Sequence, residues 1–250
     1  MKKYGILAMR RVREKREMSE HGHWVVNHTF LGHTLGFNMD TILTMWFAMA
    51  ILILLALMTT RRLSIFPSKL QLIWEGFINY FVDITSESMG AENSKKHSPL
   101  ILTLFFFILT ANLVGQLPLR LLHLKQGEFA SPNNDINMTA AMALVVSIYY
   151  IYYGVKKNGM KFFFHGWSIN GIMITLIDAL ELVVRPFSLA LRLFANILAG
   201  EIMIVTFLSL FAYFVPLPFM FFELFVALIQ ALVFALLTTT YITMSIQEEH

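Results

Sequence analysis

The chain has 250 residues, 57% of them hydrophobic and 14% charged, whereas soluble domains carry roughly 25% charged residues. It contains no cysteine, which excludes disulfides and thiolate metal sites. The net charge of +3 hides a local excess, because Lys2, Lys3, Arg10, Arg11, Arg13, Lys15 and Arg16 crowd the first sixteen residues. That basic run is followed by His21-Gly-His-Trp24 instead of an apolar core and a small-residue cleavage site, so it does not read as a signal peptide. It reads as a solvated tail, and a start at Met18 would remove it. His21, His23, His28 and His33 show no ligand spacing. The chain has no phosphate loop, nucleophile elbow or HExxH sequence. No soluble domain of useful size lies outside the apolar segments.

The first apolar span runs from Thr41 to Met58, long enough to cross a bilayer. Arg61, Arg62 and Lys69 follow it. Residues 70–88 alternate apolar and polar groups near a helical period and predict an amphipathic helix at the interface. Lys95, Lys96 and His97 precede a second span, Pro99 to Leu117, with Pro99 placed in its first turn. A polar loop over 118–135 leads to a third span, Ile136 to Tyr153, followed by Lys156, Lys157 and Lys161. The three basic clusters fall on one side, which the positive-inside rule makes cytoplasmic. The 118–135 loop and the N-terminus then face outside, against the pull of the basic tail.

The last third differs. A helix over 171–214 would be roughly 65 Å long against ~30 Å of hydrocarbon, so it must tilt steeply or break. Val215-Pro-Leu-Pro218 predicts a turn, and a second apolar run continues from Phe219 to about Ser245. The expected architecture is an all-α polytopic membrane protein. It has about five membrane-embedded helices, an amphipathic helix and a long, strongly tilted C-terminal hairpin. The division is an extracytoplasmic segment (1–40), three transmembrane helices with the amphipathic helix (41–168), and the hairpin (169–250), whose turn lies outside and whose C-terminus is cytoplasmic.

The hairpin carries Asp178, Glu181, Arg185, Arg192, Asn196, Glu201, Glu223 and Gln230. A permanent cation within hydrocarbon costs at least ~2.5 kcal/mol, and arginine cannot shed its proton to escape that cost. Asp178, Arg185 and Arg192 are seven apart and share one stripe, with Asn196 close to it. Glu201 is nine residues beyond Arg192, about half a circle away on a regular helix. In antiparallel arms, Arg192 with Gln230 and Glu201 with Glu223 centre on nearly the same point, residues 211–212. One register therefore sets Arg192 level with Gln230 and Glu201 level with Glu223. Two close carboxylates cannot both ionise cheaply, so such a pair can pass a proton. Asp178, Glu181 and Arg185 also read as a plain ion-pair network, and Gln230 as a plain interhelical hydrogen bond.

Four stretches carry a resemblance: Ser188-Leu-Ala-Leu-Arg-Leu-Phe-Ala-Asn-Ile-Leu-Ala-Gly-Glu201, the nine residues from Gln230 to Thr238, Asn133-Asn-Asp-Ile-Asn-Met-Thr139, and Phe37-Asn-Met-Asp40. With them the chain resembles subunit a of F-type ATP synthases, the stator that faces the ring of c subunits, from about residue 35 onward. The resemblance implies that Arg192 is the essential stator arginine, which forces a rotor carboxylate to deprotonate and blocks leakage between two half-channels. It implies an outer half-channel at Glu201, Glu223, Gln230, Asn196, Ser188 and Asn112, and a cytoplasmic one near Asp178 and Glu181. Glu223 stands where relatives often carry histidine. Ala195 replaces the family's usual glycine before Asn196, and the basic N-terminal extension is unusual.

The implied protein is no enzyme by itself, since ATP chemistry belongs to other subunits, and it needs no cofactor. Its implied partners are c-ring subunits, b-type peripheral stalk subunits and membrane lipid, without nucleic acid. It sits in a bacterial plasma membrane with its N-terminus outside. The transported ion is H+, with Na+ as the alternative. A stand-alone ion carrier is the competing reading, against which the absence of an internal repeat speaks.

Overall fold

The structure, a computed structural model, describes residues 25–30, 33–61, 69–116, 131–162, 169–210 and 216–247. The basic N-terminal run, most of the loop before the third span and the tip of the hairpin lie outside the described residues. Two strands, β1 (Val25–Phe30) and β2 (His33–Asn38), pair antiparallel with Phe30 opposite His33.

Among the described residues six long helices follow: α1 (Met39–Thr60), α2 (Lys69–Met89), α3 (Ala91–Gln116), α4 (Ile136–Asn158), α5 (Ile169–Leu210) and α6 (Pro216–Ile246). The fold is thus an all-α polytopic membrane protein. Helices α1, α3, α4 and α6 are long and apolar enough to cross a bilayer, and α2 is the shorter amphipathic element.

Local chemistry explains the boundaries. The α2–α3 corner turns at Gly90, whose φ of +82° lies in the left-handed region. Beside it, Thr85, Ser94 and Ser98 pack their hydroxyls within 2.6–3.1 Å of one another and are buried. That lattice supports α3 from Ala91 onward, so Pro99 lies inside the helix and not in its first turn. Pro216 and Pro218 also stand in a first helical turn, that of α6, and not in the connection before it. Proline suits that position because the missing N–H would have no partner there. Asp135 caps α4 by accepting the Asn137 N–H at 2.9 Å. It also accepts from Asn38 Nδ2 at 2.7 Å and Thr41 Oγ1 at 3.3 Å, which ties the start of α1 to the start of α4.

The core lies between α3, α4, α5 and α6. On α6, Ala227, Ala231, Ala235, Thr239 and Thr243 recur every four residues and are all buried. Small residues at this spacing let apolar helices approach closely where lipid offers no hydrophobic drive. Opposite them stand Ile101, Phe105 and Ile108 of α3 and Val146 and Tyr150 of α4. By contrast α1 touches its neighbours along a narrow seam, Ala48 and Ile51 against Ala111 and Val114. Helix α5 runs unbroken for 42 residues. At ~1.5 Å per residue it is twice the length of a ~30 Å hydrocarbon layer, so it cannot stand upright.

Candidate functional site

One end of the molecule gathers buried amides and two glutamates. Asn133 Nδ2 donates to Asn112 Oδ1 at 2.7 Å, and Asn134 Nδ2 donates to Glu201 Oε2 at 2.6 Å. Gln116 Nε2 donates to the backbone oxygen of Glu223 at 2.9 Å. Glu223 is only 7% exposed, and its carboxyl group rests on Gly200, where an added Cβ would come 2.9 Å from Glu223 Cδ. A larger residue there would push that carboxyl aside. Glu201 and Glu223 are therefore level across the hairpin, in the register that the spacing of the two arms predicts. A similar close approach, with Gly115 against Ser131, lets the Pro132–Asn134 turn settle on α3.

Among the described residues this network is incompletely paired. Asn112 Nδ2, Gln116 Oε1, Asn133 Oδ1, Asn134 Oδ1 and Gln230 Nε2 are buried and have no hydrogen-bond partner among the described residues. Unpaired buried amides cost about 1–3 kcal/mol each, a cost that water would remove. A cavity of about 310 Å³ adjoins one of them, Asn134, and is also lined by Asn38, Asp40, Thr41, Ser131, Asp135, Ile136, Asn137 and Phe194. It is polar and large enough to hold water. Asn134 lines this cavity and also holds Glu201, so a single side chain links the two.

Arg192 lies elsewhere. Its side chain is exposed and makes no hydrogen bond or ion pair among the described residues. Around it α5 presents an uncovered face with Leu180, Val184, Phe187, Ala195, Ala199 and Ile202. Two of these residues, Ala195 and Ala199, are small enough for another helix to come close. Gln230 is 7% exposed and faces the interior, and no hydrogen bond joins it to Arg192. Ser188 and Asn196 are half-buried on either side of the arginine.

At the opposite end, Arg185 pairs with Glu181 one turn away on α5. Its guanidinium lies 5.4 Å from the ring centre of Tyr241 on α6, and that ring is 6.1 Å from fully buried Tyr150 on α4. Asp178 is half-buried one turn before Glu181. The structure thus brings Glu201, Glu223 and Asn112 into one neighbourhood and leaves Asp178 and Glu181 in another, with Arg192 on an open face between them in sequence. Sequence reasoning missed Gln116, Asn134 and Gly200 as members of the first neighbourhood. Gln116 had a signal, being one helical turn after Asn112 in an otherwise apolar span.

Long apolar helices with polar groups held between them, and an arginine on an exposed apolar face that makes no ion pair among the described residues, define a polytopic membrane protein. The sequence profile of the ATP synthase A chain matches residues 42–243. The chain is 40% identical over 209 residues to ATP synthase subunit a of Gloeobacter violaceus, and the match covers 84% of each chain. It belongs to the ATP synthase A chain family.

Proposed function

We propose that this chain is the proton-translocating stator subunit of a rotary ATP synthase and that Arg192 is its electrostatic barrier. One observation carries the reading: a guanidinium with no partner among the described residues stands on an exposed apolar face of α5. Left in lipid, that charge would be costly. Set against a rotor carboxylate, it would be neutralised and would favour the acid's deprotonated form.

Protons enter from the outer side by way of the 310 Å³ cavity, Asn134 and Glu201, with Glu223, Asn112, Gln230, Asn196 and Ser188 along the same half-channel. The loaded rotor site travels through lipid in its neutral form. Its proton leaves on the cytoplasmic side near Asp178 and Glu181, and Arg192 prevents a direct leak between the two half-paths. Each unit charge crossing contributes about 2.3 kcal/mol per 100 mV, so several must cross for each ATP made elsewhere in the complex. The c-ring and b-type stalk subunits are the partners in this reading, and the membrane is a bacterial plasma membrane with the C-terminus cytoplasmic. Arg192→Gln in the assembled complex abolishes ATP-driven proton pumping in inverted vesicles. Pumping at the unsubstituted rate would overturn the assignment.

A further inference from the structure

A second built feature lies at the lysine-rich end of α3 and α4. His97 of α3 is 1% exposed, and its Nδ1 is 2.9 Å from the Tyr149 hydroxyl on α4. Its ring meets the Tyr153 ring edge-on at 4.8 Å, and Tyr149 and Tyr153 are 4.7 Å apart. Tyr153 is thereby fixed from two sides. Lys96 Nζ stands 4.4 Å from the centre of the Tyr153 ring, and Lys156 Nζ stands 5.9 Å from that of Tyr152. The Tyr152 and Tyr153 rings are 5.1 Å apart. Two ammonium groups from two helices are thus held over adjoining rings, so little side-chain freedom remains to be lost when they bind an anion.

Below them α4 offers an apolar stripe. Leu144, Ile148, Tyr152 and Lys156 follow at four-residue steps, and all four are exposed. From Leu144 to Lys156 the helix rises ~18 Å, close to the ~15 Å depth of one leaflet of hydrocarbon. The order is that of a lipid molecule: chain, interfacial ring, then charge.

We propose that this end of α3 and α4 is a binding site for an anionic phospholipid, with its phosphate between Lys96 and Lys156 and one acyl chain along Leu144 and Ile148. The charge selects the headgroup and the stripe selects a lipid over a free anion. The site does not depend on the ion-path reading.

The test uses the full chain in phosphatidylcholine micelles titrated with phosphatidylglycerol, with bound lipid counted by native mass spectrometry. Phosphatidylglycerol is retained in preference to phosphatidylcholine, and inorganic phosphate does not displace it. Lys96→Gln with Lys156→Gln weakens its binding about fivefold for each lysine removed. Arg61→Gln with Lys69→Gln removes the same charge from exposed positions and leaves the affinity unchanged. Lys96→Arg with Lys156→Arg retains it. Tyr152→Leu keeps the stripe apolar but removes the ring under Lys156, and gives a smaller loss of the same sign. Equal losses in both glutamine pairs would reduce the effect to overall charge and overturn the site. So would an unchanged affinity in the Lys96/Lys156 pair, or displacement by phosphate.

Discussion

The two acidic neighbourhoods of the hairpin are built on opposite plans. Glu201 and Glu223 are enclosed by α3, α5, α6 and the Pro132–Asn134 turn, and each is gripped through a specific contact, Asn134 on one and Gln116 with Gly200 on the other. Asp178 and Glu181 stand half-buried on α5, among exposed Ile174, Ile177 and Leu180. The first pair is walled by several elements of this chain, whereas the second stands on a face of α5 that the described residues leave partly open. Enclosure makes a site sensitive to single atoms. An open face tolerates more change.

This contrast can be broken in order of expected effect. Glu201→Gln removes the gripped carboxylate, and passive proton entry through the complex falls on the order of a hundredfold, measured as acidification of vesicles stripped of the catalytic sector. An unaffected rate would take Glu201 out of the path. Gly200→Ala inserts one methyl under the Glu223 carboxyl and slows entry roughly tenfold by displacing it. Combined with Glu223→Ala it adds little further loss, because the two changes act on one contact. Full additivity of the pair would mean that the close approach is incidental. Asp178→Asn or Glu181→Gln alone costs only about twofold in the same assay, and the two together cost more than their product. A single inner substitution as severe as Glu201→Gln would erase the distinction between enclosed and open.

Much of this was legible in the chain because charge inside a hydrophobic run is conspicuous. Arg192, Glu201 and Glu223 could be picked out by residue type alone, and the spacing of the two arms placed Glu201 level with Glu223, as Gly200 beneath Glu223 bears out. The contacts that complete the neighbourhood were not legible. Gln116 and Glu223 are 107 residues apart, and nothing local specifies that an amide on α3 reaches the backbone of α6. Gly200 reads as an ordinary small residue until the partner carboxyl is set against it. Pro99 misled because proline favours a first turn, while the Thr85, Ser94 and Ser98 hydroxyls and the Gly90 corner extend α3 two turns upstream. The exposure of Arg192 was not legible either, since phase gives the stripe on which a residue lies but not which stripe stays uncovered.

The way Asp135 anchors α1 bears on how the protein is made. Among the described helices α1 comes first in the chain, yet its narrow seam gives it little grip, and its polar anchor lies 97 residues downstream of Asn38. In an ordered insertion α1 gains that anchor only when α4 brings Asp135 into place. The first described helix is then tied down only after the fourth has arrived.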